Sequence, residues 1–457
     1  MKLSEVIVAN SFLSILRKTT VHKQVLLLAI PMVLSNITVP LLGLVDAAVI
    51  GHLSHSWFLG GVALGGTIIS VSFWLFGFLR MSTTGLSAQA FGGERKEQQG
   101  IILVQGLAMA LLFAFGFLLL HTVIGEFIFN SSNASDEVKH YGEIYFFIRA
   151  WSAPATLANY VLLGWLLGTQ NAKAPMWIVI IANLTNIALD VVFVVWLDWK
   201  VAGAAYASVI AEYISLLVGF SFVVQAWRQN LLPNLFIFIQ NRLSTMTVGL
   251  SRFIKLNRDI FLRSLCLQAA FSFMTFQGAS YGDDIVAANA VLMSLLMVIS
   301  YGMDGFAYAI EAMVGKAVGA RNRSDLKQSI VVTFFWGVVI CSSLTLLFFI
   351  FGNQLIATIT DIDRVRDIAA VFLPWLVAMP LCSMWCFILD GIFIGATKGR
   401  EMRNSMFVAA CSFFSLFYLL SEQGNHALWA AMLGFMLMRG ASLAVVFIMQ
   451  WRKKQFI

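Results

Sequence analysis

The chain has 457 residues, 60% of them hydrophobic and only 12% charged, with a mean hydropathy of +0.84. That composition lies far outside the range of soluble domains, so a water-soluble enzyme or binding module is excluded and a polytopic membrane protein remains. The net charge of +7 does not signal nucleic acid, because Lys and Arg cluster in the short breaks between apolar runs, where anionic inner-leaflet lipid is a sufficient partner.

Residues 1–23, "MKLSEVIVANSFLSILRKTTVHK", have no cleavage signature and no long apolar core; they are expected to form a cytoplasmic amphipathic lead, with no targeting segment removed. Twelve apolar spans of bilayer length follow, beginning near Gln24, Trp57, Gln99, Glu143, Ala174, Val201, Arg258, Ile285, Gln328, Ile368, Arg403 and His426. The expected domains are a lobe of six spans over 24–228, a cytoplasmic linker over 229–257, a second lobe of six over 258–450 and a cytoplasmic tail over 451–457. Lys and Arg alternate by loop, which places both termini in the cytoplasm.

The first span, "IPMVLSNITVPLLGLVDAAVIG", carries Pro31, Pro40 and Asp46. Each proline removes a backbone donor and crowds the preceding turn, so the helix either hinges there or holds a static kink. Asp46 falls in the outer half of this outward-running span. In the second span Arg80 sits near the cytoplasmic end and is expected to snorkel. The fourth span contains Arg149, Asn159 and the small-residue motif "GWLLG", which permits close helix approach.

In the fifth span Asn183, Asn186 and Asp190 recur at i, i+3 and i+7, one polar stripe on an apolar cylinder that also runs outward. Asp190 therefore shares a level with Asp46, and Ser208 of the sixth span reaches a similar depth, while Asn159 lies deeper. Glu212, also in the sixth span, is a secondary acid. The expected readings are a coupling site or polar glue between helices. No basic residue shares the level of Asp46 and Asp190 unless Arg149 turns toward them. Two acids at one depth titrate as a unit.

The linker "RQNLLPNLFIFIQNRLSTMTVGLSRFIKLNRD" includes Arg228, Pro233, Arg242, Arg252, Lys255 and Arg258 in an amphipathic pattern, an interfacial tether. Beyond it, Asp304 and Asp390 lie toward the inner ends of the eighth and tenth spans and Arg439 near the middle of the twelfth. A carboxylate beside a fixed guanidinium titrates poorly, so a structural ion pair is expected there rather than a proton carrier. The five cysteines, Cys266, Cys341, Cys382, Cys386 and Cys411, all fall within spans, and no disulfide is expected. Metal-ligand and phosphate-loop spacings such as HExxH and GxxxxGK[ST] do not occur, so no metal site is expected and ATP is not the direct driver.

The two halves repeat at an offset of 227 residues: "YVLLGWLLGTQNAKAPM" from Tyr160 aligns without gaps on "FILDGIFIGATKGREMR" from Phe387. The same offset sets "SAQAFGGERKE" against "VGKAVGARNRS", and an even number of spans per half makes the repeat parallel. It maps Asn183, Asn186 and Asp190 onto Ala410, Phe413 and Phe417, so the polar stripe belongs to the first half alone.

The "AIPMVLSNI" opening of the first span, "GLVDAAVIGHLS", "TTGLSAQAFGGER", "GTQNAKAP" and the six-plus-six repeat together resemble the multidrug and toxic compound extrusion (MATE) transporters, and within them the DNA-damage-inducible F-like branch. The NorM-like branch places an acid in the seventh helix, where this chain has only Gln268 and Gln277. The resemblance implies an all-α polytopic membrane protein of twelve transmembrane helices in two six-helix lobes forming a V around a central cavity. It also implies that Asp46, Asn186, Asp190 and Ser208 match the family's first-lobe cation site.

The expected function is secondary active efflux of amphipathic, cationic organic compounds in exchange for protons, through protonation of the first-lobe acids and bending of the first helix. Aromatic and Met side chains suit such substrates. Sodium coupling and lipid-linked oligosaccharide flipping are the alternatives within the superfamily; an intramembrane enzyme is the alternative from another class. No cofactor is expected beyond the coupling ion, and the expected partners are small organic substrates and membrane lipids, with no nucleic acid. The expected state is a monomer in a bacterial-type inner membrane.

Overall fold

The computed structural model describes residues 14–51, 53, 55–132, 134–230 and 247–456. The first thirteen residues of the expected lead and most of the expected tether, including Pro233 and Arg242, lie outside the described residues. Those described are helical almost throughout. In the first half they form α1 (Thr19–Gly51), α2 (Ser56–Leu75), α3 (Phe78–Gly92), α4 (Lys96–Ser131), α5 (Asp136–Ala150), α6 (Ala153–Gly168), α7 (Lys173–Asp190) and α8 (Lys200–Asn230). The second half contributes α9 (Leu250–Ser280), α10 (Asp283–Gly319), α11 (Arg323–Ile359), α12 (Asp363–Gly395), α13 (Gly399–Leu419) and α14 (Asn425–Arg452).

These make twelve passes, because α2 and α3 are interrupted only at Phe76 and Gly77, and α5 and α6 only at Trp151 and Ser152. Among the described residues nine passes are long and apolar enough to cross a membrane. The other three contain α5 with α6, α9 and α13, whose polar first turns dilute the apolar run. Helix ends differ from the sequence expectation where polar residues find partners. α1 begins at Thr19 rather than Gln24; in its first turn His22 Nδ1 accepts from Trp336 Nε1 at 3.1 Å and His22 Nε2 donates to the Leu16 carbonyl at 2.9 Å. α9 starts at Leu250 rather than Arg258; in the added turns Arg252 donates to Gln89 Oε1 at 2.9 Å.

The chain divides into two compact units, Leu34–Phe253 (the first unit) and Met1–Val33 with Ile254–Ile457 (the second unit). Both repeat the same internal joint. In the first, a Cβ on Gly164 of α6 would lie 2.5 Å from the Arg80 carbonyl of α3, and one on Gly168 would lie 2.8 Å from that of Thr84. In the second, the 227-residue counterparts Gly391 and Gly395 of α12 press on the carbonyls of Ala307 and Glu311 of α10, themselves the counterparts of Arg80 and Thr84. Glycine is required here because backbone, not a movable side chain, fills the space.

Helix ends repeat too. Glu94 (φ 54°) and Arg321 (φ 53°) take the same left-handed turn, as do Gln170 (φ 67°) and Thr397 (φ 55°). The following amides reach five residues back, Arg95 to the Ala90 carbonyl and Asn322 to that of Ala317, both at 2.9 Å. These are Schellman-type stops.

Candidate functional site

The polar stripe of α7 lies inside the first unit against α1 and α8. Asn186 and Asp190 are buried, and Asp46 of α1 is half-buried. The Asp46 and Asp190 side chains are within hydrogen-bonding reach of one another, yet Asp46 Oδ1 and both Asp190 carboxyl oxygens are buried without a donor. Two ionised carboxylates cannot bond each other, so this contact is complete only with a proton or another cation between them.

The neighbours sharpen that demand. Asn186 Nδ2 donates to Ser208 Oγ of α8 at 2.8 Å, and its amide oxygen is also buried without a donor. Asn183 sits at the edge of the group, its Nδ2 donating to Thr38 Oγ1 of α1 at 2.7 Å. Asn159 of α6 lies apart, bonding the backbone and the side chain of Glu212 at 3.2 Å each. The result is rich in acceptors and poor in donors. Directly after Asp190 the chain makes one π-helical turn, Val191–Trp196, with the Leu197 amide reaching the Val192 carbonyl at 3.0 Å. Such turns are frequent at functional sites.

Arg149 of α5 does turn toward this level. Its guanidinium donates to Ser152 Oγ at 2.7 Å, stands 3.9 Å from Glu212 and acts electrostatically on both aspartates. Sequence reading left that orientation open because a long side chain can swing either way from its helix.

In the second unit the same positions are aromatic. The 227-residue offset carries Asp46, Asn186, Asp190 and Ser208 onto Phe273, Phe413, Phe417 and Phe435. The contacts carry over with them: where Asp46 meets Asp190, Phe273 meets Phe417 with centroids 5.0 Å apart, and where Asn186 bonds Ser208, Phe413 meets Phe435 at 6.0 Å. One scaffold holds an acceptor-rich polar cluster in one copy and an aromatic cluster in the other.

The second unit's acids are arranged differently. Asp390 Oδ2 accepts from Arg439 at 2.8 Å and also from Arg263 of α9, all three groups being buried. Asp304 acts electrostatically on Arg439. Arg263 was missed from sequence, although an arginine inside "IFLRSLCLQ" is itself a signal. Two further buried polar groups were missed: Glu311, and the reciprocal amide pair Asn289 and Asn425, bonded at 2.7 and 2.9 Å. Pro31 and Pro40 both lie within α1, which continues as one helix through them.

A cavity of about 650 Å³ lies elsewhere in the first unit, lined by Arg95, Lys96, Gln105, Arg252 and Phe253 among others. Burial and the charge of Arg95 hold the Arg252 guanidinium below its ordinary value. The cavity, whose lining also includes Glu94 and Glu97, shares no residue with the acid cluster.

Known proteins resemble this chain throughout its length. It is 45% identical over 434 residues to the DNA damage-inducible protein F of Escherichia coli, covering 93% of this chain and 92% of the relative. It is 26% identical to Protein DETOXIFICATION 43 of Arabidopsis thaliana over 74% of this chain, and spans 61% of that protein's length. Its fold superposes on a MOP superfamily transporter from Pyrococcus furiosus with a TM-score of 0.83 at 19% identity, covering 95% and 96% of the two chains. The MatE family profile matches twice, over residues 31–192 and 260–421, once in each repeat. A helical membrane protein with an internal six-plus-six repeat, an unshared acid cluster and these relatives belongs to the multidrug and toxin extrusion family of transporters and is not an enzyme.

Proposed function

We propose that this transporter exports amphipathic organic cations in exchange for protons, and that the Asp46–Asp190 pair is where the coupling proton is carried. The observation that carries the reading is the set of buried oxygens on Asp46, Asp190 and Asn186 that have no donor. In a medium of low dielectric two acids hold one proton between them in preference to two negative charges. A membrane potential can therefore load and unload the site without ATP.

Transport needs that proton to change something larger. α1 supplies Asp46 and contains Pro31 and Pro40, each of which leaves a carbonyl in the preceding turn without its helical donor. On this reading, uptake and loss of the shared proton make and break the Asp46–Asp190 contact between α1 and α7, and protonation of the pair lets α1 change its bend, closing the substrate path. The protein then works as a monomer in a bacterial inner membrane, with both termini cytoplasmic and lobes over 24–228 and 258–450. Asp304, Asp390 and Arg439 serve structure rather than coupling.

Purified protein in proteoliposomes tests this directly. A transported cation added to one side should release protons in proportion, Asp46→Asn should abolish the release, and replacing sodium by choline at fixed pH should leave it unchanged. Transport that persists without a pH change and collapses without sodium would reassign the site to Na⁺.

A further inference from the structure

Charge counting around the acid pair exposes a group that the proton-carrier role does not use. Arg149 of α5 lies between two acidic neighbours. On one side is Glu212 of α8, 3.9 Å away, whose other oxygen accepts from Asn159 at 3.2 Å; on the other are Asp46 and Asp190, which feel its charge without bonding it. At 3.9 Å the Glu212 contact is loose. One guanidinium serves three carboxyl groups.

Few other ionisable groups compete for it. α5 packs on α2, α4 and α8. α2 carries no ionisable side chain; α4 presents His121, which stacks edge-on against Trp151 at 6.4 Å; α8 presents Tyr213, whose hydroxyl donates to the Trp151 carbonyl at 3.1 Å. On α5 itself Tyr145, one turn earlier, is buried. The internal repeat adds a control: in the unit whose site is aromatic, the counterpart of Arg149 is Leu376, fully buried, and the counterpart of Glu212 is Arg439. At these two positions the arginine–glutamate pairing belongs to the unit that carries the Asp46–Asp190 pair; in the other unit Arg439 is occupied by Asp390.

We propose that Arg149 is a movable counter-ion for proton coupling, drawn to the Asp46–Asp190 pair when its proton leaves and returned to Glu212 when the pair is loaded. The inference rests on the proton-antiport reading above. Arg149 touches neither the proton nor the substrate; it is a positioning residue. With the pair singly protonated, Arg149 and Glu212 cancel and the cluster keeps one negative charge. When that proton leaves, the guanidinium moves against the new charge and loosens the α5–α8 contact at Glu212. The proton's departure is thereby felt by two helices that do not hold it.

The test is the pH dependence of efflux by the full-length protein in proteoliposomes, with tetraphenylphosphonium as the transported cation. Arg149→Gln withdraws the counter-charge, so the half-maximal pH should rise by about one unit; Glu212→Gln frees the guanidinium for the aspartates, so it should fall by a similar amount. Arg149→Lys keeps the charge and should keep the wild-type midpoint at a reduced maximal rate, which a purely structural arginine would not require. Should Arg149→Gln fail to reach the membrane, the opposite shift in Glu212→Gln and the unchanged midpoint in Arg149→Lys still decide. Midpoints of Glu212→Gln and Arg149→Gln that coincide with wild type, in vesicles where wild type shows cation-driven proton release, would overturn the counter-ion and leave the antiport reading standing. Absence of that release from wild type would overturn both.

Discussion

Asp46 and Asp190 meet at a contact that the other unit fills with Phe273 and Phe417, so the backbone tolerates either chemistry and the carboxyls are not needed to hold the helices together. Asn at either position should therefore fold and reach the membrane while losing efflux. On the proposed mechanism both side chains share one proton, so Asp46→Asn with Asp190→Asn should be little worse than either alone, which resistance assays on a sensitised strain can measure. Asp390 behaves differently. Its carboxylate serves two buried guanidiniums, and Asp390→Asn strands them at a cost of about 3–5 kcal/mol, visible as a lowered Tm in detergent with the pH profile of residual transport unchanged. The acid cluster was legible in sequence because an ionisable side chain in an apolar run is conspicuous, and its spacing gave the shared level. Arg263 was harder to read: its helix begins in a basic amphipathic stretch, and one more arginine did not stand out from it.

At the scale of helices, the repeated joint between the fourth and second passes makes a matched pair of tests. Gly391→Ala places a methyl 2.6 Å from both the Ala307 carbonyl and Ile310 Cγ2, and should destabilise by about 1–3 kcal/mol. Gly116→Ala in α4 meets nothing within 4 Å and should be neutral or stabilise by about 0.5–1 kcal/mol, since alanine is the better helix former. Thermal unfolding of both variants in one detergent compares them. The GxxxG motifs and the offset were plain from sequence; which surface they press against was not, because close approach depends on tertiary pairing. The interruption at Trp151 and Ser152 was also hidden. There Ser152 Oγ accepts from Arg149 and donates to the Arg149 carbonyl at 2.8 Å, a local bond that competes with the helix ladder.

For the whole molecule, the helical membrane class followed from composition, since bilayer thickness leaves few choices, whereas three of the twelve passes are too diluted by polar turns to stand out on length and hydropathy alone. Helix ends did not follow, because polar contacts such as that of Arg252 with Gln89 hold α9 in turns ahead of the apolar boundary. Orientation rests on the loop charges and has its own check. In a cysteine-free background, Ser132→Cys, just past α4, should react with an impermeant thiol reagent in intact cells, and Asn322→Cys, just before α11, only after permeabilisation. Equal external labelling of both would reverse every depth assignment.

The aromatic quartet Phe273, Phe413, Phe417 and Phe435 sets a ceiling on the work done per cycle. A transporter duplicated in fold need not be duplicated as a motor: with one half electrically silent at these positions, the proposed cycle is single-stroke, and its stoichiometry is capped by one carboxyl pair. One proton moving through 100 mV releases about 2.3 kcal/mol, which sustains roughly a fifty-fold gradient of a neutral solute. Each charge carried outward by a cationic substrate works against the same potential and draws on that amount, leaving the pH difference to supply the rest. Such a pump empties a cell of a drug only as far as a single proton can drive it, and its resistance phenotype should fade first where external pH is high.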